Sequence, residues 1–183
     1  AGTPIMGKDC IAKIIWLKEE RPEVYQSADR ILDVNGYLKY RCTGKMVTEL
    51  SGASGYGFDL KKKTWLSVLP LAGIDMKKLP PLVKSTDLVG TLTPEAARET
   101  GLLETTPVFG GCDDVQSAAV GSGQCEDGDV HVYLGTSAWV AAATKTGDSF
   151  KHGAAAIQSA DPAMNLIAGI TESAGANIEW IRD

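Results

Sequence analysis

The sequence has little of what would place it on nucleic acid, in a membrane or in a disulfide-stapled class. Its 183 residues carry 18 basic against 23 acidic side chains, a formal net charge of −5. With no cationic excess it cannot displace the counterions of a polyanion, which excludes nucleic acid as a general partner. No apolar run approaches the roughly 20 residues that span a bilayer. The opening stretch "AGTPIMGKDC" lacks the basic and apolar segments of a signal peptide, so the expectation is a soluble, cytoplasmic protein. The four cysteines, Cys10, Cys42, Cys112 and Cys125, form no C-x-x-C pair, and the two histidines are not at zinc-ligand spacing. Reduced, mostly buried thiols are expected; Cys112, Cys125 and His131 lack an evident fourth ligand for a metal. Neither a G-x-x-x-x-G-K-[ST] loop nor a G-x-G-x-x-G fingerprint occurs, which removes two common nucleotide-binding architectures.

What is present divides into two textures. Asp9 precedes the helical spacing of Ile11, Ile14 and Ile15, with Trp16 expected to pack and Pro22 to end the helix. "DVNGYLKYRCTGK" reads as a second helix closed by Gly44. "TELSGASGYGFDL" reads as a small-residue loop leading to a short extended piece, either touching a polar ligand or serving as a plain surface connection. "KKKTWLSVLPLAGI" suggests a short helix behind a solvated lysine face, Lys61 to Lys63. In "TPEAARETG", Thr93 caps, Pro94 occupies the first turn and Gly101 terminates. After residue 106 come short pieces rich in small and β-branched residues, "PVFGG", "DVHVYLG", "SAWVAAAT", "AAAIQS" and "MNLIAGI", which predict buried strands. The polar stretch at residues 124–129 is the predicted boundary, and "ESAGANIEWIRD" starts a last helix. There is no internal repeat.

Two constellations could carry chemistry. In "VFGGCDDVQSAAVG" a strand ends in glycines and delivers Asp113 and Asp114 to the start of a small-residue helix. The amides of a helix N-terminus favour an ionised carboxylate, as a general base requires, a role worth typically ~10² to 10⁴ in rate. Capping of the helix by both aspartates explains the same residues. In "VHVYLGTSAWVAAA" two strands flank Gly135, Thr136 and Ser137. The reading is a tight hairpin whose amides and Thr136 hydroxyl could face a phosphate, or a plain turn.

Taken in order, the motifs resemble the FGGY family of carbohydrate kinases, nearest to its xylulokinase-like members. "KIIWLKEERPEVY" is similar to the family's K-x-x-W-L-x-x-x-x-P-E segment. "GYLKYRCTGKMVTELSGASG" resembles Y-L-x-x-x-L-T-G-x-x-x-T-D-x-S-x-A-S, with Cys42 and Glu49 in place of the usual leucine and aspartate. "LPPLVKSTDLVGTLTPEAARETGL" resembles the L-P-x-L…G-x-L-T region. The most specific match is "GGCDDVQSAAVG", followed at the expected distance by "LGTS" and "SAGANIEWIRD". Counting back seven positions from Gly121 aligns Asp114 with the family's catalytic aspartate.

The resemblance implies an α/β, actin-like ATPase fold of ribonuclease H-like domains, present in part. Residues 1–124 would be the later part of the first domain and 125–183 the opening of the second. It implies ATP and Mg²⁺ as cofactors and a sugar as substrate. Asp114 would be the catalytic base and, with Val115, would contact the sugar. Gly135, Thr136 and Ser137 would meet the ATP phosphates; Asp113 stands where related sequences often have a small residue, and its role is open between capping, tuning charge and assisting the metal. A ketose such as xylulose is the expected acceptor; glycerol or another polyol, a non-catalytic sugar or nucleotide sensor, and an interaction module are the alternatives. A homodimer is a further expectation. A family member would also have an earlier D-x-G-T hairpin and a later adenine site, so this segment alone is expected to be inactive. Opened sheet edges favour association; sedimentation of the isolated segment is expected to show aggregates or a broad distribution, and a sharply melting monomer would contradict the partial-fold expectation.

Overall fold

The computed structural model describes Gly7, residues 9–146 and residues 153–182. Helix α1 (Cys10–Glu20) ends against Pro22, the first residue of α2 (Pro22–Ser27). Ile11 and Ile14 of α1 are buried with Tyr25, Tyr56, Leu69, Ile74 and Leu79 in one apolar cluster. Trp16, expected to pack, is 57% exposed, because the buried stripe of this helix follows Ile11 and Ile14 and leaves position 16 outside it. Helix α3 (Val34–Thr43) begins at Asp33, whose carboxylate accepts from the Gly36 amide at 2.6 Å, and stops at Gly44 with φ 73°. That left-handed angle is why a glycine closes the helix. Helix α4 (Pro94–Thr100) follows its expected signals: Thr93 accepts from the Ala96 amide and Gly101 terminates.

From the end of α3 to residue 109 the chain makes three two-stranded pairings. β1 (Thr48–Glu49) lies parallel to β4 (Leu82–Val83), and β2 (Phe58–Asp59) antiparallel to β3 (Thr64–Trp65). β5 (Leu88–Thr91) pairs antiparallel with β6 (Pro107–Phe109) after α4, with a register shift between Leu88 and Gly90. The "SGASGY" stretch, read as a surface loop, is instead a 3₁₀ turn (Gly52–Tyr56) with Ser51, Gly52, Ala53 and Tyr56 buried. Small side chains there let the backbone lie deep in the fold rather than outside it. The helix expected after the lysines is also 3₁₀ (Leu69–Ala72). Lys63 departs from the expected solvated face: it has φ 53°, donates to Gln158 and to Asn165 Oδ1, and burial lowers its pKa.

The later part of the chain is a four-stranded antiparallel sheet in the order β7 (Val130–Leu134), β8 (Ala138–Thr144), β10 (Asn165–Thr171), β9 (Ala155–Gln158). Strand alternation gives the sheet two differently covered faces. On one face Ala143 and Leu166 pack against Ala119 of α5 (Asp114–Gly121). On the other, Ala156 and Ile167, directly paired across β9 and β10, meet Leu50, Phe58 and Leu60 of the earlier part. The sheet is thereby held between the helix that follows the two aspartates and the β1–β2 region. Burial was expected of all five β-like pieces, but Val130, Val132 and Leu134 of β7 and Phe109 of β6 are exposed; β7 is an edge strand that turns the buried His131 toward Ser122 at the end of α5 and leaves its other face open. The expected last helix is α6 (Gly175–Arg182). The described cysteines are free; Cys125 is exposed and the other three are partly exposed, so none is fully buried.

Leu166 is 1% exposed, so Leu166→Ala is expected to cost about 2–5 kcal/mol. Val132→Ala on the open strand should stay within about 0.5 kcal/mol. Denaturant midpoints of the two variants in the complete protein check this contrast.

Candidate functional site

The site is organised around the segment between β6 and α5. A side chain at Gly110 would place its Cβ 2.0 Å from the Lys84 carbonyl oxygen, so only glycine allows this close pass. The Gly110 amide donates to the Asp87 carbonyl at 3.0 Å and the Gly111 amide to the Ser85 carbonyl at 2.9 Å. The Gly110 carbonyl accepts from the buried Lys39 ammonium of α3 at 3.0 Å. Four residues earlier on α3, Asn35 donates through Nδ2 to Asp113 Oδ1 at 2.8 Å. Residues i and i+4 share one helix face, so α3 holds this segment at two points.

Asp113 is tied from a third side. Its backbone amide donates to Ser51 Oγ at 3.0 Å, and the Ser51 hydroxyl donates to the Glu49 carboxylate. Glu49 also accepts from the Ser51 amide at 2.9 Å. Gly52 lets Asp33 approach: a Cβ there would lie 2.5 Å from Asp33 Oδ2 and 3.5 Å from Asp113 Oδ1. Burial, then the charge of Asp33, raises the pKa of Asp113, while the bond from Asn35 and the charge of Lys39 oppose the rise. Burial raises the pKa of Glu49 as well, against the bonds it accepts from Ser51 and Gly52.

The two aspartates are therefore not equivalent. Asp113 stands at the N-cap position of α5, is partly buried and makes no side-chain capping bond. Its carboxylate is turned toward α3. Asp114 is exposed, and its Oδ1 accepts from the Val115 amide at 2.8 Å, within the first turn of its own helix. Val115 packs against the cluster of Ala119, Ala143, Met164 and Leu166, so its side chain serves the α5–sheet contact. Among the described residues no three His, Cys, Asp or Glu side chains come together as a metal site. The donor set around Asp113 is one amide nitrogen, a hydroxyl and neighbouring acids, which does not make a cation cage for that residue.

The hairpin joining β7 and β8 forms as expected, with Gly135 N donating to the Ser137 carbonyl at 2.9 Å. Gly135 is required by contact, not by backbone freedom: a Cβ there would lie 2.4 Å from Tyr133 Oη. Tyr133 in turn stacks on Trp139 at 3.8 Å between centroids. The carbonyls of Gly135 and Thr136 accept from the Gly175 and Ala174 amides at 2.9 and 2.7 Å, where α6 begins. Since carbonyl and amide of a planar trans peptide point opposite ways, the amides of Thr136 and Ser137 are aimed away from α6. The Gly135 amide is spent in closing the turn.

Sequence reasoning placed both aspartates and the hairpin but missed Asn35 and Lys39. Nothing local marks them; their partners lie 78 and 71 residues away. Ser51 and Glu49 fell inside a recognised stretch without a stated role.

Comparison with known proteins agrees with this architecture. Residues 1–121 match the N-terminal domain of the FGGY family of carbohydrate kinases. The chain belongs to that family. The xylulose kinase of Bacillus subtilis is 31% identical over 175 residues, covering 94% of this chain and 35% of the relative. The autoinducer-2 kinase of Yersinia enterocolitica is 33% identical over 126 residues, covering 68% of the chain and 24% of the relative. The crystal structure of xylulose kinase from Rhodospirillum rubrum superposes with a TM-score of 0.91 at 26% identity, over 98% of this chain and 37% of that one. The chain thus spans between about a quarter and somewhat over a third of the length of these relatives, and its fold is part of the actin-like ATPase fold of FGGY kinases.

The raised carboxylates have a definite pH signature. A group whose pKa is raised on folding stabilises the fold below its ordinary value, and that contribution is lost as pH rises through the folded value. The losses from Asp113 and Glu49 accordingly begin above their ordinary values of 3.8 and 4.5. Glu49→Gln or Asp113→Asn should each flatten the fall in thermal midpoint of the complete protein as pH is raised from about 4 to 7; an unchanged slope would refute the assignment.

Proposed function

We propose that the complete protein transfers the γ-phosphoryl group of ATP to a hydroxyl of a sugar, a ketose such as xylulose being the favoured acceptor. Residues 1–124 are the later part of the first kinase domain and 125–183 the opening of the second. Asp114 accepts the hydroxyl proton as that oxygen bonds to the γ-phosphorus and the bond to the β-phosphate oxygen breaks, leaving ADP. The observation that carries this reading is the exposed Asp114 carboxylate at the start of α5, springing from a segment anchored on three sides. Catalysis of phosphoryl transfer is largely positioning and charge neutralisation, and a fixed backbone under a reachable carboxylate suits that need.

In this reading the outward amides of Thr136 and Ser137, with the Thr136 hydroxyl, receive ATP phosphate oxygens, as backbone amides of a turn can. Gly135 acts by leaving room for Tyr133 beside the turn. Magnesium would enter with the nucleotide, bound through its phosphate oxygens, and would neutralise their charge; the Asp113 carboxylate is committed to Asn35 rather than to the metal.

The names of the relatives, xylulose kinase and autoinducer-2 kinase, support a sugar-like acceptor. The test is sugar-dependent ADP production by the complete protein against a panel of ketoses and polyols. Asp114→Asn should lower kcat by at least about 10² with the circular dichroism spectrum unchanged. Full turnover by this variant would remove Asp114 from the base role.

A further inference from the structure

We propose that Asn35 and Lys39, on one face of α3, are positioning residues that hold Asp113 and the Gly110 carbonyl and thereby fix where the Asp114 carboxylate stands. This rests on the kinase reading above, since it assigns a task within the same site. Four observations converge on it. The Asn35 amide reaches Asp113 Oδ1 at 2.8 Å, and the Lys39 ammonium reaches the Gly110 carbonyl at 3.0 Å. Lys39 is 7% exposed, and a lysine is buried to that extent only when its ammonium is satisfied. The Asp113 amide is held by Ser51 Oγ. Asp114, by contrast, bonds within its own turn at Val115.

The placement of Asp114 is thus inherited. Its Cα is set by the peptide leaving Asp113, and Asp113 is held by a side-chain bond, a backbone bond and the anchored glycine before it. Loss of the Asn35 bond frees the Asp113 carboxylate to turn from α3, where Asp33 lies close to it and Lys39 supplies positive charge. The carboxylate would then serve as an ordinary cap for α5, and the first turn of the helix would shift with it. A displacement of about 1 Å at a reacting group costs on the order of 10²-fold in rate.

Asp113 needs to be an acceptor for Asn35, not specifically an anion, and this separates positioning from direct chemistry. In the complete protein, Asn35→Ala is expected to lower kcat about ten- to a hundredfold while the KM for ATP and for the sugar changes by less than about threefold. Lys39→Met should give the same split. Asp113→Asn keeps a carbonyl oxygen for Asn35 and should retain kcat within about threefold, whereas Asp113→Ala should fall as Asn35→Ala does.

Amide hydrogen exchange supplies a readout that does not depend on turnover. Exchange at residues 111–115 should quicken about tenfold in Asn35→Ala, with the rest of the protein unchanged. Unaltered exchange and kcat in Asn35→Ala would overturn the inference, as would an Asp113→Asn variant as inactive as Asp113→Ala. A complete wild-type protein with no sugar-dependent ATP consumption would instead refute the kinase reading, and the exchange measurement would still decide whether the clamp exists.

Discussion

The hydroxyl of Ser51 donates to the buried Glu49 carboxylate and accepts the Asp113 amide. A hydroxyl has one proton and two lone pairs, so with its proton committed to Glu49 it can meet Asp113 only as an acceptor. The end of β1, the 3₁₀ turn after it and the start of α5 are joined through this one atom. Ala53 and Tyr56 are buried in that turn, and the adjoining Leu50 and Phe58 support the face of β9 and β10 opposite α5. The aspartate-bearing segment and the sheet therefore share a foundation.

This foundation is acidic, and its stability depends on donors. Asp33 accepts from the Gly36 amide, Glu49 from Ser51, and Asp113 from Asn35, with Lys39 the nearby cation. Even so, burial lifts the pKa of both Glu49 and Asp113. The fold accepts a cost at neutral pH to keep carboxylates in place, as strained or desolvated groups at working sites commonly require. The glycines at 52 and 110 contribute by absence of a side chain, since a Cβ at either would strike an oxygen.

Much of the secondary structure was legible because its signals are local. Asp33 with Gly44 and Thr93 with Gly101 bracket their helices by capping chemistry. The strands after residue 106 declare themselves by small and β-branched content. Failures came where burial is decided by distant partners. Trp16 looked like a core residue and is exposed; "SGASGY" looked like a surface loop and is buried; β7 looked buried and is an edge. In each case composition describes what a residue could pack against, while the fold decides whether anything is there.

The site divides the same way. The chain order G-G-C-D-D and G-T-S sufficed to pick out Asp113, Asp114 and the Gly135 to Ser137 turn, because a glycine-led entry into a helix and a glycine turn between strands are short-range requirements. The sequence by itself determined these two pieces and the family to which the chain belongs. Tertiary structure alone decided that the two adjacent carboxylates face different surroundings, Asp113 toward α3 and Asp114 toward solvent. The physical reason is that Asn35 and Lys39 act across more than 70 residues of chain, and hydrogen bonds at that separation leave no periodicity or spacing to read.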